Sequence, residues 1–170
     1  MNGPSERTQD YETKHKEIVV NGEPTCVRVV DTVGQERFRM LTSSFFRNAH
    51  GVVIAFDLTD RQSFEEAPKH YKSVERYCLT SNVVVMLAGT KADLSGSRKV
   101  SSAEARQMAQ ELGFAGFVET SSSTGYHVDL LFTSITEKIV QVNPGSPPQS
   151  SDTIIIEPPS QETSSKSKCC

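Results

Sequence analysis

"HGVVIAFD", His50 to Asp57, holds an unbroken apolar run from Val52 to Phe56. The run is too short for a buried helix, and it lacks the alternation of a strand with one wet face. It is the pattern of a parallel strand covered on both faces. "NVVVMLAG", Asn82 to Gly89, repeats the pattern, and a shorter run, "GFVET", begins at Gly116. Between the runs lie helical spacings. Phe64, Ala67, Tyr71, Val74 and Cys78 recur at three and four, with Pro68 expected to divide a lead-in turn from the helix proper. Ser101 and Glu104 make a capping box before Ala105, Met108, Ala109 and Leu112, and Gly113 stops that helix. Val128, Leu131, Ile135, Ile139 and Val142 form one stripe of a last helix, ended by Asn143-Pro144. Upstream, Ile18 to Val20 and Thr25 to Val30 flank Asn21-Gly22, a tight hairpin signal. Strands alternating with helices predict an α/β, doubly wound sheet with helices on both faces.

With 170 residues the chain accommodates one domain and a tail. The domain is expected over residues 1–142. Residues 143–170, "NPGSPPQSSDTIIIEPPSQETSSKSKCC", are rich in Pro and Ser and are expected to be a disordered tail. A net charge of -3 offers no basic face for nucleic acid. No apolar stretch is long enough to span a bilayer, and the N-terminus has no secretion signal, so a cytoplasmic protein is expected. Cys26 and Cys78 sit in apolar runs and are expected as buried, reduced thiols. The histidines show no ligand spacing, and Glu65-Glu66 reads as a solvated helix face.

Three motifs fall at predicted strand ends, where doubly wound folds bind ligands. "DTVGQE" (Asp31–Glu36) follows the second hairpin strand, "GTKAD" (Gly89–Asp93) follows "VVVML", and "ETSSS" (Glu119–Ser123) follows "GFV". Singly each is weak, since an aspartate after a strand is ordinarily a turn residue and a lysine is ordinarily solvated. In this order they resemble the Rab branch of the Ras-like small GTPases, from about Thr8 to Val142. "NAHGVVIAFDLTDRQSFE" (Asn48–Glu65) is similar to the Rab pattern almost letter by letter. The resemblance implies a Ras-like, mostly parallel sheet, binding of GTP or GDP with Mg, and GTP hydrolysis in vesicle traffic. It implies that Thr8 and Asp31 serve the Mg ion, Asp31 through a water. Gly34 would give its N–H to the γ-phosphate and Gln35 would orient the attacking water. Thr90, Lys91 and Asp93 would form the base loop, with Asp93 accepting two hydrogen bonds from guanine and Lys91 lying along the ring. Ser121 and Ser122 match the loop that offers an N–H to the guanine carbonyl oxygen.

The sequence also departs from that family. A phosphate cradle of the G-x-x-x-x-G-K-[ST] type needs a lysine after a glycine, and none of the 10 glycines has one. The first strand, the cradle (P-loop) and the first helix are therefore expected to be lacking, with two strand edges left open mid-sheet and a marginal fold. Val33, Thr90 and Ser123 stand where the family has alanine, asparagine and lysine, and Gln9-Asp10 replaces Ile-Gly. Thr13 and Val30 occupy two places of the aromatic effector trio, leaving Phe45. Nucleotide binding and turnover are expected to be weak or absent, with a non-enzymatic prenylated interaction protein, or a non-functional truncated form, as the alternatives.

Cys169 and Cys170 match the Rab ending that receives two geranylgeranyl groups, enough for durable membrane attachment. The partners implied are the Rab escort protein, the geranylgeranyl transferase, the GDP-dissociation inhibitor and the cytosolic face of endomembranes. Ile154 and Ile156 resemble the aliphatic pair that the escort grips in the tail.

Overall fold

A computed structural model describes residues 12–31, 49–78, 82–143 and 152–157. The hairpin is β1 (Glu12–Val20) and β2 (Glu23–Asp31), antiparallel, with Val20 opposite Glu23. Its two-residue loop has positive φ at both positions, 53° at Asn21 and 84° at Gly22. That is the primed turn whose twist matches paired strands, which explains why Asn-Gly stands there.

Four more strands and three helices follow: β3 (Gly51–Asp57), α1 (Arg61–Tyr77), β4 (Val84–Thr90), α2 (Ser102–Leu112), β5 (Phe117–Glu119), α3 (Val128–Val142) and β6 (Asp152–Glu157). The sheet order is β1-β2-β6-β3-β4-β5, and every pairing except the hairpin is parallel. This is the Ras-like α/β architecture expected from the sequence.

Alternate residues of the central strands feed two cores. Val52, Ile54 and Phe56 join Val85 and Leu87 under α1 and α2, with Phe64, Ala67, Ala105 and Ala109. On the other face Val53, Val84, Met86 and Ala88 meet Leu131, Ile135 and Ile139 of α3, together with Ile18, Val20 and Val27 of the hairpin. Burial on both faces accounts for the unbroken apolar runs. Gly51 is a site of close approach: a Cβ there would lie 2.7 Å from Ile139 Cδ1 and 3.0 Å from Ile135 Cδ1. Gly51→Val is expected to overpack this contact and cost about 1–3 kcal/mol, read as a lower urea midpoint at unchanged slope.

The structure corrects several expectations. The tail expected to be disordered from residue 143 onward forms a strand over Asp152–Glu157. That strand lies between β2 and β3, so the two edges expected to be open are paired. Three successive β-branched isoleucines favour strand, and parallel neighbours on both sides satisfy their main chain, which the polar flanks had masked. Pro68 does not divide α1, which is continuous from Arg61, capped by the Asp60 side chain accepting from Gln62 N at 3.0 Å. One absent N–H is outweighed by the burial of Phe64, Ala67 and Val74. Cys26 is exposed and Cys78 half-buried, because Cys26 alternates with the buried Thr25 and Val27 on β2. Among the described residues, no helix is long and apolar enough to cross a membrane.

Candidate functional site at the carboxyl edge of the sheet

The carboxyl ends of β2, β3 and β4 bring Asp31, Asp57 and Thr90 to one edge of the sheet, and the loops after β4 and β5 complete it. Thr90, the last residue of β4, is half-buried. Its hydroxyl donates to the Phe56 carbonyl at 3.0 Å, while Leu58 N donates to the Thr90 carbonyl at 3.1 Å. These two bonds lock the ends of β3 and β4 together and fix where the next residue starts.

That residue is Lys91, held at φ 60°. A lysine in left-handed backbone is uncommon and costs energy that the surroundings must supply. Its ammonium lies 2.6 Å from Asp57 Oδ2. The other carboxylate oxygen of Asp57 accepts from the Thr59 amide and hydroxyl, each at 2.7 Å. Burial opposes the Asp57 carboxylate, but the bonds from Lys91 and Thr59 prevail and hold its pKa below the ordinary value. The same bond to Asp57 raises the pKa of Lys91. The lysine stem thus spans the edge in a fixed, charged pose.

Asp93 is exposed two residues on, and one of its oxygens accepts from the buried Ser121 hydroxyl at 2.5 Å. Ser121 Oγ in turn accepts from Thr124 N at 3.3 Å, and Ser121 N donates to the Tyr126 carbonyl at 3.0 Å. Ala92 N to Thr120 O, 3.0 Å, joins the two loops. The predicted residues Lys91, Asp93, Ser121 and Ser122 therefore lie on adjoining loops, with Ser122 exposed. Asp31 ends β2, exposed, beside Ile156 in the ladder. Thr8, Gly34, Gln35, Phe45, Cys169 and Cys170 lie outside the described residues.

Sequence reasoning missed two elements. Asp57 anchors Lys91, and the signal was its spacing to Thr59, an Asx-turn pattern. Glu119 opens the serine loop and is gripped by Arg98 through two bonds of 2.8 and 2.7 Å, with Ser102 Oγ donating at 2.5 Å. Arg98 is the main cause of a lowered Glu119 pKa, which burial opposes. A carboxylate whose folded pKa is depressed stabilises fully above its unfolded value of about 4.3, and the stabilisation is lost as pH falls through the folded value. Glu119→Gln is accordingly expected to cost about 1.5–3 kcal/mol at pH 7 and progressively less as pH falls below the unfolded value, measured by urea unfolding.

The edge fits one half of a guanine nucleotide. A carboxylate fixed by a serine hydroxyl, beside an extended lysine stem, suits the two adjacent donors of a guanine ring and its flat face. For the triphosphate and Mg, Asp31 alone of the expected groups lies among the described residues. No group of three or more His, Cys, Asp or Glu that could hold a metal occurs among those residues.

The family model described as Ras family matches residues 2–141. The Ras-related protein Rab-19 of Xenopus laevis is 38% identical over 128 residues, covering 75% of this chain and 60% of its own length. Rab-19 of Rattus norvegicus is 33% identical over 158 residues, covering 87% of this chain and 72% of its own. RabG2 of Dictyostelium discoideum is 37% identical over 147 residues, covering 81% of this chain and 73% of its own. The chain thus spans between three-fifths and three-quarters of these relatives.

Proposed function

Because this chain belongs to the Ras family of small GTPases, on its Rab branch, we propose that it reads a guanine base through Lys91, Asp93 and Ser121 as a protein of intracellular vesicle traffic, and that these 170 residues alone hold GTP or GDP weakly. The observation that carries the first half is the Ser121 hydroxyl on Asp93 Oδ1 at 2.5 Å, at the carboxyl edge of the sheet. It presets the carboxylate to accept from the ring N1 and the exocyclic amine, which adenine does not present in that pattern. Lys91 supplies one face of the slot, and Ser122 borders the side of the ring carbonyl.

The second half rests on chemistry. Phosphate affinity in such sites comes from a run of main-chain N–H groups and an ammonium, and no Gly-Lys pair is present among the 10 glycines. The residues after β6 are Pro158 and Pro159, which carry no N–H at all. Asp31, with Thr8, is assigned to Mg, Gly34 to the γ-phosphate and Gln35 to the attacking water. With the phosphates poorly held, hydrolysis is slow. Cys169 and Cys170 are assigned to geranylgeranyl attachment, with the escort protein, the transferase and the GDP-dissociation inhibitor as partners and the cytosolic face of endomembranes as the destination. The same want of a Gly-Lys pair favours a second reading, a prenylated interaction protein that works without nucleotide.

The test is amide NMR of the full chain with millimolar guanosine or adenosine. Guanosine is expected to shift the Lys91, Asp93 and Ser121 amides, adenosine to leave them, and Asp93→Ala to erase the guanosine response. Equal shifts from both nucleosides, or none from either, would contradict base reading.

A further inference from the structure

We propose that the slot between β2 and β3 is a strand-docking site, and that its occupant is this chain's own segment Asp152–Glu157, supplied in cis from beyond α3. The docking is two-sided. Asp152 to Ile156 lie opposite Val27 to Asp31 on β2, and Ile154 to Glu157 lie opposite Gly51 to Ile54 on β3, all parallel. A segment held along both edges by main-chain pairing is an inserted central strand, not a surface contact.

The geometry of the connection argues for insertion within one chain. The Ile139 side chain packs at Gly51, the first residue of β3, so the carboxyl end of α3 lies at the amino end of the sheet. Ile154 also lies opposite Gly51, so β6 starts at that same end. Residues 144–151 link the end of α3 to the start of β6 in sequence, and both lie toward the amino end of the sheet. Eight extended residues reach up to about 26–29 Å, which is ample. The composition suits the slot: Thr153 and three isoleucines favour strand, and Pro158-Pro159 cannot continue a ladder, so the strand stops where the sequence stops it. The slot itself is a strong acceptor, since unpaired N–H and C=O groups along two edges inside a sheet are costly.

Insertion has a consequence for the end of the chain. It carries the polypeptide from the amino end of the sheet to the carboxyl edge, because Ile156 lies opposite Asp31, the last residue of β2. If the terminal cysteines are lipidated, a point that rests on the proposed function, the membrane tether leaves from the base-reading edge. The docking itself does not depend on that reading.

The test uses the full chain with a protease site substituted within residues 146–149. After native cleavage, the carboxy-terminal fragment is expected to co-elute with the domain at the size of one chain, and Ile155→Pro to abolish co-elution. In the uncut wild-type chain, the amides of Ile154 to Ile156 are expected to exchange as slowly as those of Val52 and Val53. Separation of the wild-type fragments, elution at twice the size through exchange between two copies, or free exchange at Ile154 to Ile156 would each overturn the proposal.

Discussion

With β6 in place the chain is expected to melt cooperatively, and Ile155→Pro is expected to turn that melt into a broad, shallow transition. Ile155 sits mid-strand, opposite Val30 on one side and Val52 on the other. Proline removes a ladder donor, and it is tolerated only at sheet edges, first positions and bulges. Each main-chain bond is worth about 1 kcal/mol net, and each buried group left without a partner costs about 1–3 kcal/mol. If β6 is expelled, the facing edges of β2 and β3 lose their pairing at once. The total approaches the net stability of a whole domain, about 5–15 kcal/mol. Circular dichroism on heating checks this. A sharp transition within a few degrees of wild type would mean that β6 contributes nothing to the fold.

Phe56→Ala is the second large effect. Phe56 is 0% exposed, and its ring lies 5.0 Å from that of Phe64 and 6.2 Å from that of Phe117, the latter stacked. It therefore joins β3, α1 and β5 through one side chain. Truncation leaves a cavity that three elements cannot all close upon, at a cost of about 3–5 kcal/mol. The loss should appear as a lower urea midpoint with an unchanged slope. The Thr90 hydroxyl is bonded to the Phe56 carbonyl, so base-edge shifts in the NMR spectrum should accompany the loss. A cost under about 1 kcal/mol would show that the cluster repacks.

Much of this architecture was legible because the strongest signals were periodic. The runs at Val52–Phe56 and Val83–Ala88 and the stripe through Leu131, Ile135 and Ile139 report burial, the box at Ser101 and Glu104 reports a helix start, and each became the element expected. The site was legible in its parts, since the motifs after β4 and β5 bring Lys91, Asp93 and Ser121 to adjoining loops once those strands are parallel. What the sequence concealed was non-local. Six residues in a Pro- and Ser-rich stretch have no periodicity that reveals a partner, and Ile154 to Ile156 read as an apolar island until β2 and β3 are laid beside them. Asp57 was hidden for a related reason. Its ion pair with Lys91 joins the end of β3 to the loop after β4, and only the parallel register of those strands brings the two to 2.6 Å. Arg98 and Glu119 are likewise distant in sequence and become partners only through the fold.

The central proposal is that Lys91, Asp93 and Ser121 read a guanine base while a sequence with no Gly-Lys pair holds the phosphates weakly. Titration of the purified 170-residue protein with a fluorescent GDP in the presence of Mg tests it most directly. The expected result is weak binding, with Kd of about 0.1–1 mM, the affinity of a base and ribose alone, lost on Asp93→Ala and unaffected by chelation of Mg. Binding at about 1 µM or tighter, strengthened by Mg, would contradict it.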